Sequence, residues 1–448
     1  MVHSYCLKPS NNSSLSALFV SMSSFLMPFL MAFFVALVLI FVFALSPMMA
    51  HAKTPNQSLS PKTYQKLNDI QGLLAESKFA EVEEELKDLE ENLNPGFGLA
   101  LTYQTHAQLF LAQENSPKAL EYFNKALALE ALKSTQAVSL ATNVAQLYLA
   151  NSQVEEAIGV LQSRIEAAEQ EKPGSTIAMA YISLGSAYQL KQDFANAIIW
   201  LRQGIERAKS PRENWLQMLM AAHYQLQQYA EAVVVIDQLI TINEQKEEYW
   251  LQQASLYQMM NKPKDALKVL QLANVRNVLV KEDGLISLVQ LLITEGVPER
   301  AGRILLALLE NQKIELTDDN WTLLASAWLQ SRERSLAIAA FIKAADASQA
   351  SSNKPDAAKL YFRSAQLQFD ESDFNGAIKS FAKARELGLG SKQTGISLLM
   401  QGNAYFELED YSNAKVYFSK ALKEPSSTNS AKAWLEYMEQ LEQLELLD

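Results

Sequence analysis

At 448 residues the chain exceeds the roughly 100–200 residues usual for one domain. It carries 39 Lys+Arg against 50 Asp+Glu, a formal charge of −11, and 49% hydrophobic against 20% charged residues, which excludes a disordered or fibrous chain. One Cys, four His, 15 Gly and 13 Pro leave little material for a disulfide framework, a Cys/His zinc site, a thiol nucleophile or a Gly-rich phosphate cradle.

The first segment is apolar. From Met1 to Ala52 the sole formally charged side chain is Lys8, and Leu15 to Ala50 is almost continuously hydrophobic, densest between Phe25 and Leu45. Ala50-His51-Ala52 has the small-x-small form of an export cleavage site, and a polar stretch follows. Two readings stand: a signal cleaved after Ala52, or a retained inner-membrane tether through residues 15–50, long enough to span a bilayer. Both place the remainder outside the cytoplasm, in the periplasm. Cys6 precedes the apolar core and is no lipobox cysteine. Residues 53–448 keep 38 basic and 50 acidic groups, no Cys, and the histidines His106 and His223.

A repeat organises that remainder. A small residue recurs at Ala119, Ala157, Ala197, Ala232, Ala266, Ala301, Ala337, Ala377 and Ala414, at spacings of 34 to 40 residues. Twelve positions earlier most units carry a second small residue: Ala107, Ala145, Gly185, Ala254, Ala325, Ala365, Gly402. Three positions beyond that comes an aromatic in many units (Phe110, Tyr148, Tyr188, Tyr257, Trp328, Tyr405). Four residues after each marker Ala stands a large apolar side chain, from Phe123 and Leu161 to Phe381 and Phe418. Offsets of three, four and seven place apolar residues on one helix face, and two facing small residues let antiparallel backbones approach closely. The pattern resembles the tetratricopeptide repeat, a helix–turn–helix unit, most fully at Trp321, Leu324, Ala325, Trp328, Ala337, Phe341 and Ala344. The resemblance implies an all-α, right-handed α-solenoid of nine to ten units, each packed on its neighbours.

The expected layout is a degenerate N-terminal capping repeat over 53–96, a first array over 97–345, further repeats over 354–424, and a capping helix over 431–448. Lys172-Pro173-Gly174-Ser175 and the polar stretch Asp346–Asn353 account for the two 40-residue spacings, the second as a long inter-repeat loop or a hinge between halves. In the last helix Leu435, Met438, Leu441, Leu444 and Leu447 alternate with Glu436, Glu439, Glu442 and Glu445, a terminal cover with one solvated face.

The chain has no G-x-G-x-x-G, P-loop, H-E-x-x-H or G-x-S-x-G motif. Gly96-Phe97-Gly98 and Gly388-Leu389-Gly390 fall at inter-helix turns, and His106 and His223 fall on packed helix faces as structural histidines. No catalytic residue, cofactor, metal or small-molecule substrate is expected. The acidic run Glu81–Glu91 reads as a solvated helix face; basic groups look scattered, and a balance of −12 repels nucleic acid.

In tetratricopeptide arrays the first helices line the concave surface, and the position after the small residue points into it. Here that position is neutral and polar in eight of nine units, including Gln108, Gln146, Ser186, Ser255, Gln290, Ser326, Gln366 and Asn403. Amides and hydroxyls both donate and accept, which suits an extended peptide backbone, although such residues are also ordinary solvated filler. Phe362, Phe369, Leu399 and Phe406 are the apolar contacts expected beside them. Lysines that capture a terminal carboxylate in one class of these repeats are missing, since the matching sites hold Gln104, Thr142, Ile182, Leu251 and Thr322. The C-terminal third, with Ala377–Ala384, Gly388-Leu389, Leu398–Tyr405 and Ala431-Lys432-Ala433-Trp434-Leu435-Glu436-Tyr437, resembles a narrower group: exported tetratricopeptide proteins of marine gammaproteobacteria described as components of TonB systems. That resemblance implies a scaffold docking a TonB, ExbB or ExbD-type subunit in iron–siderophore uptake. The alternative is a general envelope-assembly adaptor or holdase for extended peptides.

Overall fold

A computed structural model describes residues 58–172, 174 and 176–443, all of whose regular elements are helices. The apolar leader and residues 444–448 of the capping segment lie outside the described residues. The described residues form two compact units, divided between Gln228 and Tyr229.

The first unit contains α1 (Pro61–Ala75), α2 (Phe79–Asn92), α3 (Phe97–Ala112), α4 (Ser116–Ala128), α5 (Ser134–Ala150), α6 (Val154–Glu171), α7 (Ala178–Leu190), α8 (Phe194–Arg207) and α9 (Glu213–Gln225). The second contains α10 (Tyr229–Ile242), α11 (Glu247–Met259), α12 (Pro263–Val275), α13 (Glu282–Thr294), α14 (Pro298–Glu310), α15 (Asp318–Gln330), α16 (Arg334–Ala350), α17 (Lys354–Asp370), α18 (Phe374–Leu387), α19 (Ser391–Glu407), α20 (Tyr411–Ala421) and α21 (Thr428–Gln443). Within each unit every helix packs on the next. First helices of successive pairs also touch: α1 on α3, α5 on α7 and α7 on α9 in one unit, α17 on α19 in the other. This is the stacking of helical hairpins that the spacing predicts.

One turn closes the hairpins again and again. The residue two past the first helix has positive φ, as at Ser77, Glu114, Ser152, Gln192, Asn261, Arg332, Ser372 and Glu409, and glycine fills the place only at Gly296. The following N–H reaches back to the carbonyl five residues earlier: Asn115 to Phe110 (2.8 Å), Gln153 to Tyr148 (2.8 Å), Asp193 to Tyr188 (2.9 Å), Glu333 to Trp328 (2.8 Å) and Asp410 to Tyr405 (2.9 Å). These are Schellman closures, and the acceptor is the peptide of the recurring aromatic. The second helix then starts on a side-chain cap. Asp193, Asp373 and Asp410 accept from the peptide N–H of Asn196, Gly376 and Asn413 at 3.0–3.2 Å, which explains the Asp-x-x-Asn stretches.

All nine marker alanines are fully buried, and the large residues four positions on, from Phe123 to Phe418, are buried. The small residues opposite are needed for clearance. A Cβ on Gly185 would lie 2.7 Å from Leu201, and one on Gly402 would lie 2.5 Å from the Phe418 ring.

Two expectations are corrected. Asp346–Asn353 is neither a long loop nor the boundary between halves: α16 runs to Ala350, and the same turn, with Ser352 at positive φ and Asn353 N–H on Ser348 O (2.9 Å), leads straight into α17. The boundary between units instead falls after Gln228. The capping helix begins earlier than expected, at Thr428, and buries Ala431 and Met438 against the last pair.

Candidate interaction groove

The polar positions predicted for the groove all lie on first helices. In the second unit Gln290 is exposed on α13, while Ser326 on α15, Gln366 on α17 and Asn403 on α19 are half-buried. Because α17 touches α19, Gln366 and Asn403 stand on adjoining helices. The Ser326 hydroxyl is turned back onto the Thr322 carbonyl at 2.8 Å, so its donor is taken. The Asn403 carbonyl oxygen is buried and accepts no hydrogen bond. An acceptor left so is costly.

One member of the apolar set is corrected. Phe362 is buried in the core, its ring 5.7 Å from Phe381, and cannot serve as an anchor. Phe369 packs edge-on against Phe374 at 5.3 Å. Phe406 is ringed by Tyr411 (5.4 Å), Trp434 (5.2 Å) and Tyr437 (6.2 Å), and Leu399 packs on the core shared with α21. These side chains hold the fold and the cap. On a first helix one residue turns the side chain by about 100°, enough to move it from the open face to the neighbouring hairpin.

In the first unit Gln108 is engaged: Gln71 on α1 donates its amide to it at 3.0 Å. Gln189 on α7 similarly donates to the Met218 carbonyl of α9 at 2.8 Å. Gln71 was missed in the sequence, yet it stands 37 residues before Gln108, one repeat earlier. Carrying the register into the degenerate first unit would have found it. Gln401, fully buried and donating to the Ile378 carbonyl at 2.6 Å, gives no such signal.

Carboxylates brace the loops between hairpins. Burial alone would raise the Glu169 carboxyl, but interactions with Thr176, the Gly174 N–H (2.7 Å) and the Tyr181 hydroxyl outweigh it and hold it at about 2. Glu247, at the start of α11, is 3% exposed and reaches forward to the Lys281 N–H at 3.2 Å; there burial wins and its carboxyl is raised. Glu282 takes the same role one repeat on, accepting from the Glu315 N–H at 3.0 Å and the Asn320 amide at 2.7 Å.

His106 is fully buried, stacked on Phe110 at 5.2 Å with Nδ1 on Glu90. His223 is also buried, its Nδ1 on Gln228 at 2.7 Å and its Nε2 accepting from Arg202 at 3.3 Å. Among the described residues no group of three or more His, Cys, Asp or Glu is placed to hold a metal, and no helix is long and apolar enough to cross a membrane.

Hairpins α7–α8 and α19–α20 coincide with residues 178–211 and 397–428, which match the family model of the tetratricopeptide repeat. Those two hairpins thus match the tetratricopeptide repeat, and their turns and small-residue contacts recur along the chain. No curated protein matches it. Among solved structures it is similar to a tetratricopeptide repeat protein from Parabacteroides merdae (16% identity, 55% of this chain and 93% of that one, TM-score 0.34). It is also similar to Naa15/Naa10 bound to HypK-THB (15% identity, 81% and 58%, TM-score 0.48) and to PilF of Pseudomonas aeruginosa (16% identity, 48% and 91%, TM-score 0.34).

Proposed function

We propose that the protein is a non-catalytic scaffold that docks an extended segment of a protein partner along its first helices. The observation that carries this is the pair Gln366 and Asn403, half-buried carboxamides on adjoining helices. An extended peptide offers an N–H and a C=O at every residue, and carboxamides answer both. The finer reading keeps the periplasm as the compartment and a TonB, ExbB or ExbD-type subunit as the partner, supported by the C-terminal resemblance alone.

The test is capture of purified TonB, ExbB and ExbD periplasmic segments by the full chain and by a Gln290→Arg, Gln366→Arg, Asn403→Arg variant. Phe362, Phe369 and Phe406 are left intact because they hold the core. Capture of one segment, lost in the variant with helical content unchanged, is expected. Capture undiminished in the variant would reject the groove. Equal binding of unrelated unfolded chains would favour the adaptor or holdase, and no binding to any of the three segments would reject the TonB assignment.

A further inference from the structure

Basic residues that look scattered along the sequence fall into register on the second helices of the last three hairpins. Lys343, Lys383 and Lys420 each stand six residues after a marker alanine (Ala337, Ala377 and Ala414), on α16, α18 and α20. Lys379 stands one turn before Lys383. Lys343, Lys379 and Lys420 are exposed and Lys383 is half-buried. Some other second-helix cations are closed by an acid, Lys268 by Asp265 (2.9 Å), Arg303 by Glu299 and Lys415 by Glu442, while Lys264 and Arg300, with no ion pair among the described residues, stand singly as such on their helices. No ion pair holds any of these four among the described residues. Three acids stand three or four residues from these lysines, and one of them, Glu424, accepts from the Ser391 hydroxyl at 3.3 Å. Asp346 accepts from the Tyr361 hydroxyl of α17, while Glu386 is exposed and is the single acid on α18 and α20, against five basic residues there. Apolar side chains lie among the lysines: Val416 is 46% exposed, Leu422 is 37% exposed, and Lys420 Nζ sits 4.4 Å over the Tyr417 ring.

We propose that this row of lysines on α16, α18 and α20 is a docking face for a bilayer surface bearing anionic phospholipid headgroups. Charge complementarity selects that occupant: four ammonium groups with no ion-pair partner among the described residues stand on successive second helices, three of them in one register. A headgroup layer is a continuous field of mobile negative charge, in which each lysine contributes roughly a fivefold gain in partitioning. Point-charge ammonium groups with no planar fork suit such diffuse attraction, and Val416, Leu422 and Tyr417 suit the interfacial zone.

The test incubates the full chain with vesicles of phosphatidylcholine alone or mixed with phosphatidylglycerol, and follows acylation of individual lysines by mass spectrometry. Slower acylation of Lys343, Lys379, Lys383 and Lys420 on the anionic vesicles, with Lys264 unchanged and the effect reversed by salt, is expected. A Lys343→Gln, Lys383→Gln, Lys420→Gln variant of unchanged helicity should lose about a hundredfold in salt-sensitive partitioning, three lysines at roughly fivefold each. Equal acylation on both vesicles overturns the proposal. So does protection that grows with protein concentration in the absence of lipid, which would mark a second copy or another protein as the occupant.

Discussion

Glycine to alanine at two helical positions should move stability in opposite directions. At Gly402 of α19 the added methyl would lie 2.5 and 2.6 Å from two carbons of the Phe418 ring. That ring is fully buried and lies against Trp434 at 5.2 Å and an interplanar angle of 7°, so it has nowhere to retreat. Overpacking of this severity costs about 3 kcal/mol, and the better helix propensity of alanine returns about 1, for a net loss of about 2 kcal/mol. At Gly159 of α6 a Cβ meets nothing within 4 Å, so the same change should stabilise by about 1 kcal/mol. Urea unfolding followed by circular dichroism reports the sign, and amide exchange localises the loss to α19–α21, where a repeat array need not unfold in one step. Phe418→Leu in the Gly402→Ala background should recover part of the loss, a coupling that a mutant cycle isolates. If Gly402→Ala is neutral or stabilising, close approach of the two helices is not what the small residue is for.

Three further outcomes are expected. Glu169 has a depressed pKa, about 2 against 4.5, so its contribution is present above pH 4.5 and is lost as pH falls toward 2. With the side chain 24% exposed this amounts to about 2 kcal/mol after solvent screening, and Glu169→Gln should flatten the acid limb of the stability profile by that much. Glu247 has the opposite sign: its raised pKa gives stability that is full below pH 4.5 and fades as pH rises through the folded value. Glu247→Gln should therefore remove this loss, seen as a smaller drop in urea midpoint between acid and neutral pH. Arg332 has φ of 66°, so Arg332→Gly should raise stability by about 0.5–1 kcal/mol in thermal unfolding, whereas Gly296→Ala, at φ 76°, should lower it by about 1 kcal/mol.

The hairpin spacing was legible because each marker alanine is fully buried against a facing helix, and selection for a small side chain there leaves a periodic trace. The turns were not legible. Turn recognition leans on glycine and asparagine, yet Gln192, Arg332, Ser352 and Glu409 take the left-handed conformation here. The polar stretch 346–353 therefore looked like a loop, although its first five residues complete α16. At the groove, the polar positions fall on first helices, while Phe362 is buried against Phe381 and Phe406 packs on Trp434. A phenylalanine on a helix looks the same in sequence whether it meets a ligand or the next hairpin, and only the placement of Phe381 and Trp434 distinguishes the two.

Closing each hairpin through main-chain atoms makes the unit portable. The bond from Asp193 to Tyr188 or from Asp410 to Tyr405 needs no particular side chain elsewhere in the molecule. A duplicated segment carries its own fastening with it, so recombination can lengthen or shorten such a protein without first inventing a compensating contact.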